Sequence, residues 1–392
     1  MTRGQRPAAG VARAATGTDA LRSGAWDRLN GAHLYTSAAW LTAFAELGGM
    51  TPVSAVSGDG TAGAVGYDAR TAGVNPRYTH AWLYEDALLA PVGSFAMLGG
   101  CSGYAGHLPH VAGAPAASRR EALAAVVDEI RSPVTLLAHL TGEEAAQVVG
   151  AELLSGAPAP VLGMVTSELD LTGMREFDDY LGSLTRSSRS TVRADLRRTA
   201  DAGVDVRVER LADVLEEVAP LLGSVQAHHG HDGSAAGAAG YLHLCLHGDL
   251  AAHAFAVVAR TQGRAVAFAL GYRWHDTVFM RVSGLDYDVA GRTAAYFATY
   301  FYTPVRLALE WGCVRVDLGG EALESKTRRG GALVPRWSLS TGASVDRARA
   351  RAVTAARLAD VRAVAGSAVT DGRVAAWQRL HQDLDGPARS TG

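Results

Sequence analysis

The chain has 392 residues, 48% hydrophobic and 19% charged, which is ample for sizeable cores and too long for one typical domain. A formal net charge of −2 excludes a wholesale basic coat for nucleic acid but leaves room for a local basic patch. No apolar run approaches the roughly 20 residues that a bilayer span needs. Arg3, Arg6 and Arg13 lead into no apolar stretch, so residues 1–24 read as a disordered tail of a cytoplasmic protein and not as a signal peptide.

Residues 25–165 read as a first α/β unit. YTSAAWLTAFAEL has helical patterning with Ser37 as N-cap, and the runs TPVSAVSGDG and AGAVGYDAR suit a hairpin turning at Gly-Asp-Gly. SRREALAAVVDEIRS predicts an amphipathic helix and PVTLLAHL a buried strand. Tyr35, Trp40, Tyr84, Glu85, Asp86 and Tyr104 are candidates for a cleft wall, with at least half of them expected in the core.

GAPAPVLGMVTSELDL (156–171) reads as the linker and entry strand of a second unit over 166–342. There follow a helix around MREFDDYLGSL, a basic helix from Ser187 to Ala202 closed by Gly203 at C′, a strand VDVRVERL and a helix ADVLEEVAPLLGSVQAHH. A three-stranded meander, a long helix GRTAAYFATYFYTPVRLALEWG and a strand CVRVDLGG complete the unit, and residues 343–392 form an Ala/Arg-rich helical tail. The fold class is thus mixed α/β in two domains.

Two stretches concentrate chemistry. Arg186, Arg189, Arg193 and Arg197 recur at steps of three, four and four, which places them on one helix face. Planar guanidinium forks on one face suit phosphates, and a solvated face salted by Asp195 and Asp201 is the plainer alternative. DLGGEALESKTRRGG (317–331) is a charged, glycine-rich loop just past a strand, where α/β folds keep their sites. Lys326, the chain's single lysine, suits an oxyanion or a phosphate, and Asp317 or Glu321 suits the orientation or deprotonation of an amine. An exposed charged turn is the alternative. Candidate substrate contacts are Arg328 and Arg329, Arg281, Ser283 and Tyr287 around the last meander strand, His229, and Tyr84 with Glu85.

Other signals lead away from familiar chemistries. HHGHDG has too few residues between its His pair and Asp232 for a chloramphenicol-acetyltransferase site. His243 and His247 stand one helical turn apart without a third ligand, so no metal is expected. Cys101, Cys245 and Cys313 show no CxxC spacing and read as small buried apolar residues. There is no Walker A loop, nucleophile elbow or dinucleotide fingerprint.

SLTRSSRSTVRADLRRTADAG resembles the helix that opens the second domain of Fem-like proteins in the GNAT superfamily. VSGLDYDVAGRTAAYFATYFYTPVRLALEWGCVRVDLGGEALESKTRRGG resembles the same group's run of strand, long aromatic helix, strand and glycine-rich loop with Lys-x-x-Arg-Gly. A weaker echo is the YTSAAWLTAFAEL helix. The resemblance implies two tandem GNAT-like domains, the first degenerate, with the acyl donor in the second. Acetyl-CoA enzymes cradle the pyrophosphate on a Gln/Arg-x-x-Gly-x-Gly/Ala loop, but here YDVAGRTA offers one Gly291 beside Arg292. Fem transferases also lack that loop and use aminoacyl-tRNA. The expected activity is therefore aminoacyl-tRNA-dependent amide formation on a small amine acceptor, with no resident cofactor and tRNA as partner on the arginine stripe. An acyl-CoA N-acyltransferase and a non-catalytic GNAT-like binding protein are the alternatives.

Overall fold

Alternating apolar runs become strands, and the computed structural model describes residues 12–19, 21, 24–47, 49–366 and 369–386. In chain order the first strands are β1 (Arg13–Thr16), β2 (Pro52–Val56), β3 (Gly63–Arg70), β4 (Ser94–Leu98) and β5 (Thr135–Leu140). β6 (Ala159–Asp170) leads into β7 (Asp205–Glu209), β8 (Ala254–Thr261), β9 (Arg264–Trp274), β10 (Thr277–Leu285) and β11 (Arg315–Asp317). β12 (Ala332–Thr341) follows. The chain divides into two compact units within β6 and again within β12. One unit takes the described residues of Met1–Met164, Pro335–Asp360 and Thr370–Gly392; the other takes Val165–Val334 and Val361–Val369.

Three boundaries differ from the sequence reading. Arg13–Thr16, placed there in a disordered tail, pair antiparallel with β2, while residues 1–11 lie outside the described residues. The main segment of the second unit stops at Val334 and not at 342, and Val361–Val369 groups with it. Most of the helical tail groups with the first unit, because Arg347 pairs with Asp385 and donates to the Pro158 carbonyl.

In the first unit β2 and β3 form the expected hairpin, β3 pairs antiparallel with β4, and β4 runs parallel to β5. The helix Ala116–Ile130 packs on β2 and β3. Ser37 caps its helix as expected, its Oγ accepting from the Trp40 N–H at 3.2 Å. Trp40 and Tyr35 are not cleft residues: both are buried, with Trp40 Nε1 donating to the Ser102 carbonyl. Two histidines are sealed in this core as neutral rings. His80 Nε2 meets Ser340 Oγ at 2.8 Å and His139 Nε2 donates to the Arg77 carbonyl at 2.9 Å. Burial pulls their pKa values down to about 4 and about 3.

In the second unit β7, β8, β9 and β10 form the antiparallel meander, β10 runs parallel to β11, and β11 is antiparallel to β6. Its core gathers Leu169, Val192, Val257, Val278, Met280, Tyr300 and Phe301. Helix Leu211–His228 lies so close to β10 that a Cβ on Gly284 would stand 2.5 Å from the Leu222 nitrogen. The long helix expected over 291–312 is broken. Ala294 sits at φ +56°, a π-turn covers Ala298–Tyr302, and a regular helix resumes at Thr303–Glu310. Pro304 is one cause, since it has no N–H for the carbonyl four residues back. No helix among the described residues is long and apolar enough to cross a membrane, and the three cysteines are buried and unpaired.

A histidine buried neutral binds its proton in the unfolded chain near pH 6.5 but in the fold only near 4 or below, so stability falls with pH across that window. Melting temperatures measured from pH 7 to pH 4.5 should therefore decline, and His80→Gln, which cannot charge, should flatten the decline. An equally steep slope in that variant would remove His80 from the effect.

Candidate functional site

Because β10 and β11 are parallel neighbours, their C-terminal ends open on one edge of the second unit's sheet. Past β11, Gly319 adopts φ +66°, Glu321 φ +58° and Ala322 φ +44° before the short helix Leu323–Thr327. Two consecutive non-glycine residues in the left-handed region are a strained feature of the kind that gathers at functional sites.

This coil wraps Lys326. The side chain is 2% exposed, and Nζ donates to the carbonyls of Leu318, Gly319 and Gly320, filling its three donor positions. Burial draws the ammonium pKa down to about 7, against the upward pull of Asp317 and Glu321. Asp317 is buried and accepts from the Gly319 N–H at 2.7 Å, whereas Glu321 is exposed. The sequence reading gave Lys326 to an oxyanion or a phosphate, but all three of its donors point instead into the backbone of its own loop.

Arg329 is not positioned to receive an anionic substrate group. It is 3% exposed, pairs with Asp195, donates from Nε to the Tyr302 hydroxyl at 2.9 Å and stacks 3.3 Å from the Phe297 ring centroid. Tyr302 donates to the same Asp195 carboxylate, and burial pushes its phenol pKa upward. Asp195, read from sequence as salt on a solvated face, is instead the buried centre of this network, with Arg198 on its other oxygen at 2.6 Å. Arg328 is exposed and pairs with Glu324 across one helical turn.

The arginine helix runs Arg186–Asp201. Arg189 leaves the stripe: its guanidinium caps the preceding helix, donating to the carbonyls of Leu181, Gly182 and Leu184. Arg186, Arg193 and Arg197 remain exposed on the outer face.

Past β10, Asp286 caps helix Tyr287–Thr293, its Oδ1 accepting from the Asp288 N–H at 3.1 Å, and pairs with Arg264 at 2.6 Å. Beside it lies an open pocket of about 280 Å³ lined by Pro220, Leu221, Ser224, Leu285, Asp286, Tyr287 and Asp288. Tyr287 is half-exposed and stacks on His228 at 4.4 Å, and His229 is exposed next to it. Arg281 is buried at an irregularity in the β9–β10 register, with Nε donating to the Tyr241 hydroxyl at 2.9 Å, and Ser283 is half-buried on the same strand. The sequence reading missed Asp286 and Asp288 as a pair. Their signal was the acid-aromatic-acid run at a strand-to-helix turn.

Tyr84 and Glu85 belong to the first unit and have structural partners there. Tyr84 is buried with its hydroxyl on the Ala159 carbonyl at 2.6 Å, and Glu85 pairs with Arg357. The histidine pair of the second unit gathers no third ligand among the described residues. The grouping of metal-ligating side chains found there is His33, His107 and Glu144, in the first unit.

Removing one partner from a buried ion pair strands the other charge. Asp195→Ala should therefore lower the unfolding free energy by about 3–5 kcal/mol. Arg193→Ala, at the exposed face of the same helix, should stay within about 0.5 kcal/mol of wild type. Denaturant titration of both variants checks this, and equal losses would contradict it.

None of the curated proteins matches the chain. Among solved structures it resembles FemX at 14% identity and a TM-score of 0.51, with 80% of this chain and 92% of that one covered. The C-terminal DUF2156 domain of a lysylphosphatidylglycerol synthetase candidate from Agrobacterium fabrum matches at 13% identity and TM-score 0.50, over 81% of this chain and 91% of that one. A conserved protein of unknown function from Bacteroides thetaiotaomicron VPI-5482 matches at 12% and 0.51, over 77% and 88%. At such identities the likeness concerns the fold, and it agrees with a mixed α/β architecture. The FemAB-like family model, described as peptidoglycan biosynthesis/recognition, matches residues 164–363, just over half of the sequence. The chain belongs to the FemAB-like family.

Proposed function

We propose that this FemAB-like chain is an acyltransferase that takes its acyl group from aminoacyl-tRNA and forms an amide bond on a small amine acceptor. Its setting would be cell-envelope or specialised-metabolite biosynthesis in the cytoplasm. The observation that carries the choice of donor is the pair of carboxylates at the Tyr287 helix start. An acyl-CoA enzyme of this superfamily needs that helix N-terminus to receive a pyrophosphate. Here Asp286 already takes the Asp288 N–H, and both acids set negative charge where the anion would lie. The same acids, in an open pocket, suit an acceptor that carries positive charge.

Phosphate binding falls instead to Arg186, Arg193 and Arg197 on the outer face of their helix. That helix is joined through the buried Asp195–Arg329 pair to the segment that holds Lys326, which links donor surface and loop. In the reaction the acceptor nitrogen attacks the ester carbonyl carbon. The tetrahedral intermediate then collapses, expelling the tRNA hydroxyl as the nitrogen loses its proton. No covalent enzyme intermediate is needed, so positioning and oxyanion stabilisation supply the rate. Glu321, exposed on the strained turn, is the carboxylate assigned to orienting the incoming amine, and Lys326 acts by fixing the carbonyl–amide geometry of the Leu318–Gly320 turn.

Binding to a charged tRNA pool and to acetyl-CoA, measured side by side at two salt concentrations, tests the donor. We expect salt-sensitive tRNA binding, with Arg193→Ala and Arg197→Ala each reducing the salt slope by about one unit, and no acetyl-CoA binding. Micromolar acetyl-CoA affinity with indifferent tRNA would make the donor a CoA thioester.

The loop is tested separately by single-turnover transfer from charged tRNA to hydroxylamine as a surrogate amine. Lys326→Met should lower the rate by about 100-fold, the scale of misplacing the reacting geometry by about 1 Å, with tRNA affinity unchanged. A parallel loss of affinity would indicate that the variant merely disturbs the fold.

A further inference from the structure

We infer that His33, His107 and Glu144 form a site for a divalent transition metal, zinc by preference, in the first unit. One ligand atom from each of the three side chains lies within 4.8 Å of the others. Nitrogens bound at about 2.0–2.1 Å to a tetrahedral zinc stand roughly 3.3 Å apart, so side-chain rotation alone closes the set.

Two of the ligands are held by backbone that does not depend on a metal. His107 is fixed by its own N–H on the Gly99 carbonyl at 3.1 Å and by the Gly106 N–H on the His139 carbonyl at 3.0 Å. At Gly106 a Cβ would fall 2.2 Å from the Ala138 carbonyl oxygen, so the segment is pressed onto β5. Glu144 belongs to the capping box of helix Gly142–Gly150. Its Oε2 accepts from the Thr141 N–H and hydroxyl at 3.1 and 2.9 Å, which turns Oε1 toward His107 Nδ1. Anchoring of this kind orients a metal-binding carboxylate.

An anionic oxygen and two imidazoles form a mixed set that suits zinc, whereas calcium and magnesium favour oxygen alone. Three protein ligands leave a fourth position for water.

The rings of His33 and His107 are stacked, with centroids 3.6 Å apart and planes at 7°. Parallel planes cannot both contain one ion. His33, at the solvent face, must tilt its ring out of the stack on binding, and the direct His107–Glu144 contact must open to roughly 3.3 Å to admit the ion.

The experiment uses the tag-free full chain, freed of metal with a chelator and titrated with zinc chloride against a chromophoric competitor. The expected result is one zinc per chain with micromolar or tighter affinity. His33→Ala and Glu144→Gln should each weaken it by about 10-fold or more. Glutamine at position 144 can still serve the capping box and accept from His107, and His33 is exposed, so both variants should remain folded in chelator, with cooperative melting as the check. His243→Ala should bind as wild type does. Absence of zinc binding in the wild type, full affinity in both site variants, or loss with His243→Ala would overturn the assignment.

Discussion

A charge held away from water needs its counter-charge at a fixed distance, and in the second unit this requirement falls on Asp195 and Arg329. The two residues lie 134 positions apart in sequence, so their pairing closes a long stretch of chain. Everything between the ends of that stretch must accommodate it. The π-turn at Ala298–Tyr302 brings the Tyr302 hydroxyl onto both partners, and Phe297 and Phe301 flank the guanidinium. A regular helix through Pro304 would leave a carbonyl unanswered and rotate these rings away from the arginine. The irregular helix is thus best understood as the shape that the buried pair demands.

Lys326 is the second consequence. Arg329 anchors the end of the segment, and Lys326 anchors its start by drawing three successive carbonyls inward. Burial alone would favour the neutral amine. Three carbonyl acceptors and the nearby Asp317 act in the opposite sense, and only the charged form can donate to all three. A loop held this way presents its backbone at constant geometry without needing a side chain to touch the reactants.

The sequence carried the architecture well, because it is written in periodicity: the β2–β3 hairpin, the meander, the Ser37 cap and Gly203 at φ +59° are all local signals. Residues 317–331 also drew notice through composition. Roles within them were harder to read. An arginine that binds phosphate and one that is buried under aromatic rings have the same local pattern, and Arg328 and Arg329 are adjacent in sequence with opposite fates. Asp195 was hidden for the same reason, since its partner is visible only after folding. The grouping of His33, His107 and Glu144 spans three separate segments of the chain and leaves no spacing to find.

The arginine helix shows how an acidic protein can still present a basic face. At about 100° per residue, the buried Val192, Asp195 and Thr199 mark one side, and Arg186, Arg193 and Arg197 fall within a sector of about 40° well away from it. Arg189 lies nearer the buried side and is consumed by the carbonyls of the preceding helix, as its position requires. Three unpaired guanidiniums then remain on a surface that the buried Asp195 holds in place from beneath. Mutual repulsion among them is unfavourable in the free protein and would be relieved by a polyanion. Net charge, summed over the whole chain, cannot register such a local arrangement.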